Sequence, residues 1–176
     1  MTMTGKESKI SISTQAGVFI ARYSDKGLSG LEFPQAGSRP SPVRSAQNVS
    51  AQVQRWRRLT VAALDTILAG QQPKSFPPFD WSGKTDFQQS VWAELLKIKA
   101  GQTRSYGEIA ERIGRPKAVR AVGGACGANP IPVLVPCHRV LAANQKLGGF
   151  SGGLGWKKRL LAAENPQGKA PGWRDQ

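Results

Sequence analysis

Hydrophobic and polar positions alternate along the first part of the chain. Ile10 and Ile12 are separated by polar residues, Val18 to Tyr23 follows Gly17, and Leu28 to Phe33 follows Asp25-Lys26-Gly27. A period of two marks strands with one buried face, and Asp-Lys-Gly between two such runs supplies turn chemistry. The pattern gives two or three strand signals and predicts an antiparallel meander over residues 9–33. Pro34 to Ser45, with three prolines and several small polar residues, reads as a loop. The period then lengthens. Val53, Trp56, Leu59, Ala63 and Ile67 recur at spacings of three and four, which predicts a helix over Val49 to Ala69 with Gly70 as its stop. Gln71 to Trp81, with Pro73, Pro77 and Pro78, predicts a linker packed through Phe76, Phe79 and Trp81, and the domain boundary falls there, 1–80 against 81–176.

The second half reads as a chain of short helices. Thr85 is a candidate N-cap for a helix with Phe87, Val91, Trp92, Leu95 and Ile98 on one apolar face and Gly101 beyond its end. Ser105-Tyr106-Gly107-Glu108 has capping-box spacing and opens a short helix through Ile109 and Ile113, stopped by Gly114. Pro116, at a first-turn position, starts another through Val119 and Val122 to Ala125. Two short helices about a Gly-Arg-Pro turn make a helix-turn-helix pattern, with Lys117 and Arg120 on the second helix. Gly148 to Gly153 is a glycine-rich loop without the Lys-Ser/Thr of a P-loop, which argues against a nucleotide cofactor. Trp156 to Glu164 predicts a terminal helix with Leu160 and Leu161 inward. The polar tail Asn165 to Gln176 predicts little order.

Composition narrows the class. The 176 residues suffice for one core, or for a small domain followed by a larger one. Two cysteines and one histidine are too few for a disulfide framework or a cysteine-ligated zinc site, and a reducing compartment fits best. No apolar run reaches the roughly 20 residues that span a bilayer, and Met1 to Ser8 lacks the apolar segment of a signal peptide. The expectation is a cytoplasmic protein without membrane partner, metal or cofactor.

The charge is +14, from 25 basic and 11 acidic residues, and it is uneven. No acid lies between Glu32 and Asp65, where Arg39, Arg44, Arg55, Arg57 and Arg58 fall. None lies between Glu111 and Glu164, where Arg112, Arg115, Lys117, Arg120, Arg139, Lys146, Lys157, Lys158 and Arg159 fall. Such windows point to a polyanion, with nucleic acid the leading partner.

Inside the second window, Asn129 to Leu141 places Cys137 directly before His138, the only histidine. A thiol needs a proton acceptor to become a good nucleophile at neutral pH, and His138 is the sole imidazole for the task. Free cysteines are also common as small buried hydrophobes, so a packing role stands beside the reactive one at this point. Ile131 to Val135 is apolar and β-branched, and Pro130, Pro132 and Pro136 restrict φ, so a stiff, extended, buried segment is expected to deliver the pair. Cys126, among small residues, reads as packing.

Four motifs, Ser105-Tyr106-Gly107-Glu108, Arg120-Ala121-Val122-Gly123-Gly124, Asn129-Pro130 through Pro136-Cys137-His138-Arg139-Val140, and Gly149-Phe150-Ser151-Gly152-Gly153 running into Leu160-Leu161-Ala162-Ala163-Glu164, agree in order and spacing with one family. Over Phe87 to Glu164 the chain resembles the O6-alkylguanine-DNA alkyltransferases, also called methylated-DNA–protein-cysteine methyltransferases. The resemblance implies an α+β architecture. A small N-terminal ribonuclease H-like domain, a three-stranded antiparallel sheet with a helix, precedes an α-helical domain with a winged helix-turn-helix that binds DNA and transfers the alkyl group. It implies direct repair of O6-alkylguanine in duplex DNA by a monomer that flips the base and acts once, and it leaves O4-alkylthymine open as a substrate.

The same resemblance implies the roles. Cys137 matches the alkyl acceptor, His138 the base acting through a bound water, Glu164 the acid orienting the histidine, and Asn129 the residue holding the active-site turn. Tyr106 matches the proton donor to the departing guanine and Arg120 the residue that replaces the extruded base. Val140, through its carbonyl, with Phe150 and Ser151, matches the base pocket; Phe150 stands where tyrosine is frequent. Ser105, Lys117 and Arg139 complete the expected DNA-binding set. A winged-helix DNA-binding protein without transfer activity would keep the basic window but would not need Cys137, His138 and Glu164 together. A cysteine hydrolase would need its histidine far from the cysteine in sequence.

Overall fold

The computed structural model describes residues 7–35, 49–165 and 173. The predicted loop Pro34 to Ser45 lies mostly outside the described residues, and so does nearly all of the tail after Asn165. Strands β1 (Ser8–Thr14), β2 (Gly17–Tyr23) and β3 (Leu28–Glu32) form an antiparallel sheet in the order β1-β2-β3. Ile10 pairs with Ala21 and Ile12 with Phe19, so one face turns these residues, with Tyr23, into the core. Helix α1 (Ala51–Leu68) packs on that sheet, capped by Ser50, whose side chain accepts from Val53 N–H. Its Thr60 hydroxyl accepts from the Tyr23 hydroxyl at 2.8 Å, a buried polar tie between helix and sheet.

The linker is more than a spacer. Leu28 N–H donates to Pro78 O, and Asp80 N–H donates to Leu28 O, so the linker lies along β3. Phe79 stacks on Trp81, and Trp81 meets Trp92 edge-on. Most of the described buried apolar residues accordingly form one cluster running from Ile10 through Trp92 to Leu160, with a small second one of Leu141, Leu147 and Leu161.

In the second half, α2 (Asp86–Leu95) begins with the expected cap, a complete capping box of Thr85 and Gln88. Strand β4 (Arg104–Ser105) leads into α3 (Tyr106–Arg112), where the Ser105 and Glu108 box is complete at 3.1 and 2.7 Å. A turn through residues 113–118 joins α3 to α4 (Val119–Gly127), and both helices pack on α2. Pro116 and Lys117 therefore sit in the turn and not in the helix, which starts after Ala118 and runs on past Ala125 to Gly127. Trp92, wholly buried, donates its indole N–H to Ala125 O at 2.8 Å. Burying a side chain of that size contributes about 3 kcal/mol and fixes the depth of α4. The short strand β5 (Val140–Leu141) pairs in parallel with β4, and α5 (Leu154–Ala163) is the last helix among the described residues. No described helix is long and apolar enough to cross a membrane.

Candidate active site

The stretch Ile131 to Val135 is buried as expected, but it is not extended. It folds into a tight turn in which Val135 N–H donates to Ile131 O at 3.0 Å and Val133 takes a φ of +74°. A β-branched residue in the left-handed region is strained, and the surrounding bonds hold it there. Asn129 does most of this: its Oδ1 accepts from Ile131 N–H at 3.0 Å and its Nδ2 donates to Val135 O at 2.9 Å. The same Nδ2 lies 3.1 Å from Cys137 Sγ, so one buried amide both closes the turn and reaches the sulfur. The prolines exclude helix, but the side chain of Asn129 selects the turn over the strand.

Cys137–Arg139 form a single 3-10 turn, all three residues buried. Burial pushes the Cys137 thiol up to about 11, against the opposing pull of Asn129, of Lys157 and of the backbone N–H groups of Cys137 and His138. At neutral pH the sulfur therefore carries its proton.

His138 is wholly buried, with Nε2 3.0 Å from Glu164 Oε1. Burial holds its pKa below the usual histidine value. Glu164 is brought down to about 2: burial opposes ionisation, and the bonds from His138 and Arg139 override it. A carboxylate accepts and cannot donate, so Nε2 of the neutral imidazole carries the hydrogen. Nδ1 is left as a bare lone pair, and it is buried without a hydrogen-bond partner among the described residues.

Arg139, expected among the DNA-binding groups, is only 2% exposed. Its Nε and Nη2 donate to the Glu164 carboxylate and its Nη1 donates to Ile98 O. The assignment is corrected: the guanidinium fixes Glu164 and is out of reach of a phosphate. Gly101 N–H donates to Glu164 Oε2 at 3.1 Å, a partner with no sequence signal beyond a glycine after a helix. Lys157, counted in the basic window, is also buried, with Nζ bonded to the carbonyls of Val140 and Leu147.

Tyr106 is half-buried at the start of α3, and a Cβ on Gly148 would stand 3.1 Å from its hydroxyl. Burial, then the nearby Cys126 and Cys137, raise its pKa to about 12, so it keeps its proton. Val140 is buried three residues after the thiol. Phe150 packs edge-on against His138, with ring centroids 6.5 Å apart, and against Phe33, just past the end of β3. Ser151, Lys117 and Arg120 are exposed. The Ser105 hydroxyl accepts from Glu108 N–H as the cap of α3. The structure thus brings Asn129, Cys137, His138, Glu164 and Tyr106 together and leaves Arg120 and Lys117 at the surface of the helix-turn-helix.

A known family model, the DNA-binding domain of 6-O-methylguanine DNA methyltransferase, matches residues 86–166. The methylated-DNA–protein-cysteine methyltransferase of Mycobacterium tuberculosis is 50% identical over 110 residues, 62% of this chain and 66% of that protein, just under two thirds of its length. Structural similarity extends further. The crystal structure of the Mycobacterium tuberculosis O6-methylguanine methyltransferase matches with a TM-score of 0.71 and 36% identity, over 94% of this chain and 96% of that one. The Mycobacterium tuberculosis OGT in complex with DNA matches at a TM-score of 0.70 and 37% identity, over 92% and 94%.

Proposed function

Since the chain belongs to the methylated-DNA–protein-cysteine methyltransferase family, we propose that it repairs O6-alkylguanine in duplex DNA by moving the alkyl group to Cys137 in a single turnover. The observation that carries this reading is the buried thiol held by Asn129 beside an imidazole whose proton is pinned on the Glu164 side. Such a histidine can only accept a proton at Nδ1. A water between Nδ1 and the thiol would carry the thiol proton to the imidazole as the sulfur attacks the alkyl carbon. The carbon–oxygen bond breaks as the sulfur–carbon bond forms, and Tyr106, still protonated, gives its proton to the departing guanine. The product thioether has no neighbouring group to hydrolyse it, so one molecule acts once.

The alkyl carbon inside a duplex is out of reach of a buried sulfur, so the nucleotide must leave the stack at a cost of a few kcal/mol. Arg120, exposed at the start of α4, would take the vacated place. Ala121, Gly124 and Gly127 on the same exposed side leave room for a close approach of the duplex. Val140, Phe150 and Ser151 would receive the base, and Lys117 and the Ser105 hydroxyl would contact the backbone. We read residues 1–80 as the scaffold, residues 81–176 as the reacting domain, and the protein as a cytoplasmic monomer.

Incubation with duplex DNA carrying O6-methylguanine, followed by intact mass and peptide mapping, tests the reading. One added methyl, about 14 Da, is expected on Cys137 and nowhere else. Cys137→Ala is expected to bind the duplex and transfer nothing. A methyl on Cys126 would overturn the assignment, and binding without any transfer by the intact chain would favour the lesion-sensing alternative.

A further inference from the structure

The proposed chemistry leaves one buried charge unexplained. Lys157 on α5 is 0% exposed, and its ammonium donates only to the neutral carbonyls of Val140 and Leu147. Among the described residues it has no carboxylate partner, whereas the other buried cation, Arg139, shares Glu164 with His138. A cation taken out of water without a counter-ion destabilises the fold, so its presence calls for an anion that the resting protein lacks.

The groups around it identify that anion. Helix α5 packs directly on the Cys137–Arg139 turn. Val140, whose carbonyl Lys157 holds, donates its own N–H to Cys137 O. The charge of Lys157 acts on Cys137 and His138 from that turn and on Cys126 from α4. Glu164 is already committed to His138, Arg139 and Gly101. Tyr106 and Cys126 keep their protons, both raised to about 12 chiefly by burial. Cys137 is the first of these groups to lose a proton in the reaction, and it is the one on the turn that α5 packs against; Tyr106 gives up its own only to the departing guanine.

We infer that Lys157 is a positioning residue for alkyl transfer: it ties the Val140 and Leu147 carbonyls together and stands as the counter-charge to the Cys137 thiolate while that thiolate exists. This rests on Cys137 being the nucleophile. Burial brings Lys157 down to about 8, so it is still mainly protonated at neutral pH and the counter-charge is in place when the proton leaves. Above about pH 8 that support fades.

The test reads the thiol without DNA. Carbamidomethylation of Cys137 by iodoacetamide, followed by peptide mass spectrometry at pH 6 to 7, where Lys157 is protonated, gives the rate of thiolate capture in the wild type, K157R and K157M. The rate is expected to fall roughly tenfold in K157M, the loss of thiolate that a shift of about one unit gives at fixed pH, and to stay near the wild type in K157R. A K157M rate equal to the wild type, with a lowered melting temperature, would overturn the proposal and leave only the carbonyl tie. Should K157M not fold, the pH dependence of capture in the wild-type chain decides. The rate is expected to climb less steeply than tenfold per pH unit once Lys157 loses its proton above about pH 8, and an unbroken tenfold rise per unit overturns the proposal. Neither readout depends on alkylguanine transfer, so failure of the repair activity is seen separately.

Discussion

Glu164 is the residue on which the other charges depend. One carboxylate accepts from His138, Arg139 and the Gly101 amide, and the electrostatic consequence is a neutral imidazole with its basic nitrogen free. Glu164→Gln removes the negative charge and leaves the Arg139 guanidinium buried and unpaired. A loss of about 3 to 5 kcal/mol in urea unfolding is expected, together with a drop of at least about 100-fold in the single-turnover transfer rate. The pH dependence follows from the same pair. His138 has a depressed folded pKa, so below the ordinary value of 6.5 the unfolded chain binds a proton that the native state refuses, and stability falls as pH drops. Glu164 contributes stability that is fully present above its ordinary value of 4.5 and is lost as pH falls toward about 2. Thermal unfolding is expected to show a decline from pH 7 to 5, and His138→Gln is expected to flatten that part of the curve.

At the level of elements, the proposed reaction would divide the work between the turn closed by Asn129, which holds the thiol, and the helix α4 before it, which would meet the duplex. Arg120 lies on α4, exposed and outside the hydrogen bonds of the relay of His138 and Glu164, so its loss is expected to act on extrusion. Arg120→Ala is expected to slow repair in duplex DNA by about tenfold or more while the reaction with free O6-benzylguanine, which needs no flipping, stays nearly unchanged. Equal losses on both would place Arg120 in support of the thiol itself. Ser105 has a structural duty that its motif also encodes. Replacing it by alanine removes the cap of α3 and is expected to cost about 1 kcal/mol by chemical denaturation, with Tyr106, the next residue, losing its fixed approach to Gly148.

Across the molecule, the N-terminal sheet is part of how the site is held. Leu31 N–H of β3 donates to Pro130 O at the entry of the active-site turn, and Phe33 packs on Phe150, which in turn packs on His138. Gly70, with a φ of +75°, ends α1 against the Ala163 carbonyl, where a Cβ would overlap the backbone just before Glu164. Gly70→Ala is expected to cost about 2 kcal/mol or more and to slow transfer although it lies far from the thiol in sequence. The overall charge of +14 has its own consequence. Log affinity for duplex DNA is expected to fall with log salt by about 0.9 per phosphate contact. Unrelated duplexes of equal length are expected to bind within a few-fold of one another, because the exposed small residues of α4 offer little hydrogen-bonding reach to base edges. A strong preference for one sequence that persists at high salt would count against this reading.

The order of elements was legible along the chain because it depends on local signals: the period of two over residues 9–33, the period near four in α1, and the Ser105 and Glu108 box that opens α3. The pairing of Cys137 with the only histidine was legible for the same reason, being a matter of neighbours. Three things were not. The run Ile131 to Val135 has the composition of a strand, and a side chain that precedes it by two residues folds it into a turn. Arg139 and Lys157 carry charges that in one dimension belong to a basic surface. In the fold one meets the carboxylate of Glu164 and the other meets two backbone carbonyls. Local patterning follows from propensity and periodicity, which act over a few residues. Whether a charge faces water or an internal partner depends on chain segments 10 to 41 residues apart closing on each other, and only the packed fold brings those partners within bonding distance.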